Sequence, residues 1–536
     1  MISGKLYKQP TININLLLLL CSIAFTIFYN EAFFSNVLAV YPFEQNNILF
    51  LLSLGIIISA LNYFVLGLIS SRYTTKTLLI ILFPCTALAN YFMTSYNIVI
   101  DTTMIQNTLA TDLHESADLF SMRLLMHLFF WGILPAIIIY RLKLKRQSFK
   151  SAVITRAALL SSSLIVSVLL IAVSSEHFAT FFREHKILRY YANPLTYIYS
   201  GSIYVNEQIN SPAFAEIQPI GQDAKIPEWD KGRELIILVV GETARADRFS
   251  LNGYERTTNP LLEKQELTSF SQVRSCATTT AISVPCMFSM TDTSEFKLEY
   301  ADNFENLLDV LDHAEVATLW RDNNSDSKGV AQLEIFEDFR NPEINPVCDI
   351  ECRDIGMLSG LDKFIADQEA QDIVIILHQM GNHGPAYSKR YPKEFEIFTP
   401  VCETNELEQC SIEEINNAYD NAILYTDYFL SEVIELLKNY DDSFETAMLY
   451  MSDHGESLGE FSLYLHGLPN FLAPDEQREI PAIIWLGKNY EVSNEELLPK
   501  KNLPFDHDNF FHTVLGLMEI QTAVYNPDMD IVHSHI

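Results

Sequence analysis

The sequence predicts an α-helical membrane domain of five transmembrane helices, followed by a soluble α/β domain with a largely parallel sheet. Three observations predict it. Five apolar runs fill the first third of the chain. Charge is unevenly divided: up to residue 175 there are 11 Lys and Arg against 6 Asp and Glu, and beyond it 25 against 62. From residue 233 onward, short apolar segments alternate with longer helical stretches, as strands alternate with crossover helices. The overall 49% hydrophobic content and net charge of −32 over 536 residues therefore average two compositions. The apolar content excludes a disordered acidic chain, and with no basic face nucleic acid is not an expected partner.

The apolar runs cover about 13–29, 47–70, 77–96, 120–140 and 153–173. Each is near the ~20 residues that a helix needs to cross a ~30 Å hydrocarbon core. The first follows Lys5 and Lys8 as a signal peptide would, but no small-residue cleavage site follows it, so a retained anchor is expected. Loop charges set the direction. Lys5 and Lys8, then Arg72 and Lys76, then Arg141, Lys143, Lys145, Arg146 and Lys150 mark one side. Glu31 and Glu44, then Asp101, Asp112, Glu115 and Asp118, mark the other. The positive-inside rule makes the N-terminus cytoplasmic and puts everything after about residue 175 across the membrane.

Residues 176–232 form a connecting segment. Phe181, Phe182, Arg183, Lys186, Arg189, Tyr190, Tyr191, Tyr197, Tyr199 and Tyr204 mix rings with cations. That mixture suits a helix at the membrane interface, or equally an amphipathic helix packed on the soluble domain. Ala224 to Gly232 reads as an exposed linker, and the soluble domain spans 233–536. Cys21 and Cys85 fall in apolar spans as packing residues. The other six cysteines lie in close pairs beyond residue 175: Cys276/Cys286, Cys348/Cys352 and Cys402/Cys410. Six cysteines allow 15 pairings, and proximity in an oxidising compartment favours these three disulfides. No C-x2-C spacing supports a zinc knuckle instead.

Four apolar strands end in polar residues. Leu235–Val240 runs into Gly241-Glu242-Thr243, and Val316–Trp320 into Arg321-Asp322-Asn323-Asn324. Ile373–Leu377 runs into His378 and then Gly381-Asn382-His383-Gly384, and Met448–Met451 into Ser452-Asp453-His454-Gly455-Glu456. Ligands of open α/β sheets bind beyond the carboxyl ends of the strands. Glu242, Asp453 and His454 offer the carboxylate and imidazole donors that zinc takes. A nucleophile is still required. Ser275-Cys276-Ala277-Thr278-Thr279-Thr280-Ala281 places hydroxyls before a helix expected over 281–290, where a phosphate is favoured and a metal would activate a hydroxyl. Spacing alone leaves open which threonine acts, or whether these threonines only cap the helix.

These stretches resemble the alkaline phosphatase/sulfatase superfamily, specifically the membrane-bound phosphoethanolamine transferases that modify lipid A, close to the mobile colistin-resistance enzymes and their chromosomal relatives. The likeness rests on Val239–Arg245, Ser275–Cys286, Arg321–Gly329, Leu377–Pro385, Ser452–Gly459 and Leu465-His466-Gly467. The resemblance implies a sulfatase-like soluble domain, one tightly bound zinc on Glu242, Thr280, Asp453 and His454, and Thr280 as nucleophile. His383 and His466 would exchange protons or hold a second metal. Thr278, Asn324, Ser325, Lys328, His378 and Glu456 match substrate-binding positions. Asn107, Thr111 and Glu115 match positions that meet the donor lipid, and their spacing would put them on one helix face. The Cys348/Cys352 loop is shorter than the family pattern.

The resemblance implies transfer of phosphoethanolamine from phosphatidylethanolamine to a lipid A phosphate through a covalent threonine intermediate. It implies a monomer in the inner membrane of a Gram-negative bacterium, with the catalytic domain periplasmic, and resistance to polymyxins such as colistin. Two rivals share the site chemistry: transfer of phosphoethanolamine or glycerol phosphate to another envelope glycan, and a membrane-anchored phosphohydrolase. A sulfatase would need an arginine where Met287 follows Ser283-Val284-Pro285.

Overall fold

The structure, a computed structural model, describes residues 10–111, 113–146, 148–210, 217–301, 303–332, 335–368 and 372–534. The chain divides into two compact units, Met1–Ile105 with Phe120–Ile209, and Gln106–Leu119 with Asn210–Ile536.

The first unit is helical. Helices α3 (Ile48–Ile69), α4 (Thr75–Tyr96), α5 (Met122–Arg141) and α6 (Phe149–Val173) are long and apolar enough to cross a membrane. The first apolar run behaves differently. Helix α1 (Ile14–Phe28) has 15 residues, only about 22 Å at 1.5 Å per residue, and bends by 54° into α2 (Glu31–Val40). The pair makes a fifth span if counted as one. Asn30 sits at the bend. Its amide donates to the carbonyls of Phe25 (2.9 Å) and Asn193 (2.6 Å), so two carbonyls at the break find a donor. Within α5 the turn Leu128–Ile133 is π-helical, just before Pro135. A proline cannot donate to the carbonyl four residues back, at Trp131, and the Tyr29 hydroxyl donates to that carbonyl instead at 2.5 Å. Outward side chains such as Ile154 (69% exposed) and Val168 (64%) are apolar, as helices bathed in lipid require.

Helix α7 (Ser175–Glu184) buries Phe178 and Phe181. Their rings meet Phe50 of α3 at 5.0 and 6.0 Å. The amphipathic segment thus packs within the helical unit. Helix α8 (Leu195–Asn210) follows. Residues 224–232 are not a bare linker: Ala224 and Ile226 pack into the core of the second unit, and Lys225 bridges Gln521. The apolar residues among the charged ones carry that attachment.

The second unit is built on eight strands: β1 (Glu234–Gly241), β2 (Thr268–Arg274), β3 (Ala317–Asp322), β4 (Ile335–Asp338), β5 (Ile373–His378), β6 (Glu445–Ser452), β7 (Glu479–Leu486) and β8 (Phe505–Asp506). Their order is β8-β2-β7-β6-β1-β5-β3-β4. The centre is parallel as expected, with β1 paired to both β5 and β6. The sheet is nevertheless mixed, because β7 runs antiparallel to β6 and β2. Every residue of β1 is buried, as a strand covered on both faces must be. Ile236, Leu238 and Val240 join a core with Val284 and Met287 of α9 (Thr280–Met287), Leu308 of α10 (Leu307–His313) and Phe510 of α12 (Asp508–Leu517). Helix α11 (Ile412–Lys438), started by a Ser411–Glu414 capping box, buries most of its 27 residues. Disulfides join Cys276–Cys286, Cys348–Cys352 and Cys402–Cys410, and Cys21 and Cys85 are free.

Candidate active site

The carboxyl ends of β1, β3, β5 and β6 lie side by side in the sheet, so the residues just beyond them converge. Glu242 follows β1, and Asp453 and His454 follow β6. Helix α9 begins at Thr280, one turn long before Pro285 and pinned by the Cys276–Cys286 disulfide. The Thr280 hydroxyl donates to Glu242 Oε2 at 3.1 Å and lies 3.3 Å from His454 Nε2. Thr279 occupies the N-cap position of α9, its hydroxyl making no cap hydrogen bond among the described residues.

The tautomer of His454 follows from its surroundings. Its Nδ1 is 2.9 Å from the Gly455 carbonyl, which only accepts, so Nδ1 carries the hydrogen and Nε2 a bare lone pair. Burial also pushes the His454 pKa well below the usual histidine range, keeping the ring neutral. Asp453 Oδ2 stands 3.2 Å from that lone pair, buried and with no hydrogen-bond donor among the described residues. Glu242 Oε1 is 3.7 Å from the same nitrogen. Lone pairs facing one another in a dry site repel unless a cation lies between them. Burial likewise raises the Asp453 pKa, although the backbone N–H groups of Thr243 (3.1 Å) and His454 (2.7 Å) donate to its Oδ1.

The donor set fits a metal. The ligand atoms of Glu242, Asp453 and His454 all lie within 4.8 Å of one another, and all three residues are buried. Tetrahedral zinc with bonds of about 2.0 Å needs ligand atoms about 3.3 Å apart. The observed separations of 3.1, 3.2, 3.3 and 3.7 Å bracket that value.

Neighbouring side chains hold these groups in place. Asn324 donates one N–H to Glu242 Oε2 at 2.6 Å and the other to the Gln379 carbonyl at 2.8 Å, so its amide serves Glu242 directly. Glu456 accepts from Tyr387 at 2.6 Å and holds His466 Nδ1 at 2.8 Å. Both of its oxygens are thereby engaged, and it is fully buried. The His466 ring lies 4.3 Å from the His454 ring and 5.6 Å from that of His383. His383 is fixed through its carbonyl, which accepts from Arg390 Nε at 2.6 Å. His378 is fully buried, with Nδ1 2.8 Å from Asp322 Oδ2 and its ring edge-on to Trp320. The Thr278 hydroxyl donates to the Leu468 carbonyl at 2.6 Å, tying the threonine loop to the segment after His466.

Ser325 and His383 line a cavity of about 460 Å3, together with Arg340, Glu351 and Lys389. Lys328 points its ammonium at the Ser325 carbonyl, 2.8 Å away. Asn107 and Thr111 are not on one continuous helix with Glu115. Helix Thr102–Ala110 ends at Thr111, whose N–H and hydroxyl both go to the Asn107 carbonyl at 2.9 and 2.8 Å. A second helix, Leu113–Asp118, carries Glu115, whose side chain lies outside the described residues. Sequence reasoning missed Tyr387, Asp322 and Arg390 as supports. It also missed His507, which accepts the Cys276 N–H at 3.1 Å and donates to the Ser452 carbonyl at 3.0 Å. Only Asp322 carried a signal, as a carboxylate at a strand end.

A mixed sheet with a carboxylate, imidazole and threonine cluster at its carboxyl edge, attached to apolar spans, defines a membrane-anchored protein of the sulfatase class. Residues 234–520 match the sulfatase family, and residues 58–209 match the family described as phosphoethanolamine transferase EptA/EptB. The chain is 42% identical to the phosphatidylethanolamine transferase Mcr-1 of Escherichia coli, over 92% of each chain. It is 37% identical to phosphoethanolamine transferase EptA of E. coli strain K12, over 99% of this chain and 98% of that one. The solved integral membrane protein lipooligosaccharide phosphoethanolamine transferase A of Neisseria meningitidis superposes with a TM-score of 0.93 at 33% identity, over 98% of this chain and 99% of that one. The chain belongs to this family of membrane-integral phosphoethanolamine transferases, and is an enzyme of that kind.

Proposed function

We propose that the chain moves phosphoethanolamine from phosphatidylethanolamine to a phosphate group of lipid A, in two displacements at Thr280. The catalytic unit would face the periplasm from the inner membrane, with the N-terminus cytoplasmic as the basic loops favour. The observation that carries the reading is the convergence of Thr280, Glu242, Asp453 and His454. Donor and acceptor come from relatives of matching length, one named for phosphatidylethanolamine and another for lipooligosaccharide.

A zinc ion on Glu242, Thr280, Asp453 and His454 would lower the pKa of the hydroxyl and stabilise charge on the phosphoryl oxygens. The residues do the rest. Thr280 Oγ1 attacks the phosphorus as its proton leaves toward Glu242 Oε2, 3.1 Å away. The bond to the glycerol oxygen breaks, diacylglycerol departs with a proton, and phosphoethanolamine stays on Thr280. An oxygen of the lipid A phosphate then attacks the same phosphorus, the bond to Thr280 breaks, and Thr280 Oγ1 takes back the proton held at Glu242. With Nδ1 of His466 committed to Glu456, we assign Nε2 to proton exchange with leaving and attacking oxygens. His383 beside it would share that role or hold a second metal. Ser325 and Lys328 would bind the phosphate, and Asn107, Thr111 and Glu115 the donor lipid. Thr278, Asn324, His378 and Glu456 act as positioning residues in this reading.

The experiment is incubation of detergent-solubilised enzyme with phosphatidylethanolamine, acid quench and peptide mass spectrometry. Diacylglycerol release and phosphoethanolamine on the Thr280 peptide are expected, both absent in Thr280→Ala. Diacylglycerol release by that variant at the wild-type rate would overturn the covalent route. Capping a lipid A phosphate with an amine removes negative charge that cationic peptides bind, so expression is expected to raise colistin resistance.

A further inference from the structure

The end of the sheet remote from Thr280, where β1 and β6 begin, gathers carboxylates. One ligand oxygen each of Glu234, Glu445 and Glu519 lies within 4.8 Å of the other two. Glu234 opens β1, Glu445 opens β6, and Glu519 stands just beyond α12. Asp230, in the segment entering β1, acts electrostatically on all three. Glu234 is 1% exposed, and neither of its carboxylate oxygens has a hydrogen-bond donor among the described residues. The buried Oδ2 of Asp230 has none either. The backbone closes in as well: a Cβ on Gly232 would come within 2.8 Å of Glu445 Oε1 and 3.3 Å of Glu234 Oε1. Glu519 holds φ of 51°, a left-handed conformation that costs a non-glycine residue energy unless its surroundings require it.

Buried carboxylates must be neutralised by protons or by a cation. The neighbouring guanidinium of Arg233 lies over the Phe444 ring at 4.5 Å and donates to the Gln368 carbonyl. Protons fit less well. Asp372, whose Oδ1 accepts the Glu234 backbone N–H at 3.2 Å, offers an acceptor for one shared proton. That leaves the second Glu234 oxygen and Asp230 Oδ2 unanswered. A hard cation with oxygen ligands and a few waters answers all of them together. The carboxylate oxygens that make up the group among the described residues separate this site from the zinc chemistry around Thr280.

We propose that Asp230, Glu234, Glu445 and Glu519 form a structural site for a hard divalent cation of the calcium class. The bound ion would clasp the segment entering β1 to the start of β6 and the end of α12. Burial, with like charge from Asp372, Asp230 and Glu519, pushes the pKa of Glu234 up to about 9, and burial, with like charge from Glu491, Asp230 and Glu445, pushes that of Glu519 up to about 7. Binding should therefore release protons near neutral pH.

The test is equilibrium dialysis of the full-length, zinc-loaded enzyme in detergent against Ca2+ near neutral pH, with elemental analysis. One calcium per chain beyond zinc is expected, with a dissociation constant on the order of 10−4–10−3 M, release of protons, and a thermal midpoint that rises with Ca2+. Glu445→Gln and Glu519→Gln should lose the calcium and the thermal response while zinc content and transfer stay unchanged. Either half-buried position tolerates an isosteric amide, and the wild-type dialysis decides even if both variants misfold. A wild type that takes up no calcium at concentrations about ten times that range, or variants that bind it as the wild type does, would overturn the site.

Discussion

Asn324 shows how much of the site depends on one amide. Its two N–H groups go to Glu242 at 2.6 Å and to the Gln379 carbonyl at 2.8 Å, so removing it frees the carboxylate to rotate. Asn324→Ala is expected to lower zinc affinity about 10–100-fold, read by competition with a zinc-binding dye. Glu242→Ala or Asp453→Ala should abolish stoichiometric zinc. His507 gives a pH prediction. Burial pushes its pKa down to about 4 from an ordinary 6.5. The unfolded chain therefore takes up the proton first as pH falls. The stabilisation is full above about pH 6.5 and lost toward pH 4, about 3 kcal/mol for a shift of that size. His507→Gln should flatten the fall of the thermal midpoint between those pH values. Glu242, Asp453 and His454 were legible in the sequence because each follows an apolar strand. The choice of Thr280 was not, since Thr278, Thr279 and Thr280 share the same local chemistry. Asn324 and Glu456 read as substrate contacts; that their side chains also hold Glu242 and His466 is visible only in the tertiary geometry.

At the scale of elements, α5 and α9 each carry a proline whose consequences are met elsewhere in the fold. Pro135 leaves the Trp131 carbonyl to the Tyr29 hydroxyl. Tyr29→Phe is expected to cost about 1 kcal/mol, visible as a lower unfolding midpoint in detergent with transfer activity retained at low temperature. Helix α9 is short, and the Cys276–Cys286 disulfide, with a sequence separation of 10, closes the loop that presents Thr280. A paired replacement of both cysteines by serine should cost about 3 kcal/mol by loop-closure entropy, and activity should fall with the midpoint. The parallel centre of the sheet was legible from alternation of strand and helix. The antiparallel β7 was not, because the apolar run Ile480–Leu486 reads alike in either direction. The break after Ala110 also escaped, since i, i+4 spacing says nothing of where a helix stops.

For the whole molecule, a basic apolar part precedes an acidic one, and the chain forms two compact units, the first reaching Ile209 and the second taking in Gln106–Leu119. The spans were legible as hydropathy, but the 54° bend between α1 and α2 was not, because it depends on Asn30 meeting Asn193 from a distant part of the chain. The second unit has its own core and disulfides. Residues 217–534 alone are therefore expected to fold and bind zinc, yet to lose transfer between membrane lipids, because both substrates are confined to the bilayer. In the proposed reaction Thr280 passes phosphoethanolamine to lipid A. Mass spectrometry of lipid A from cells expressing wild type or Thr280→Ala tests it most directly. Phosphoethanolamine on lipid A with the wild type and none with the variant is the predicted result. Unmodified lipid A in both, with the wild-type protein inserted and zinc-loaded, would contradict it.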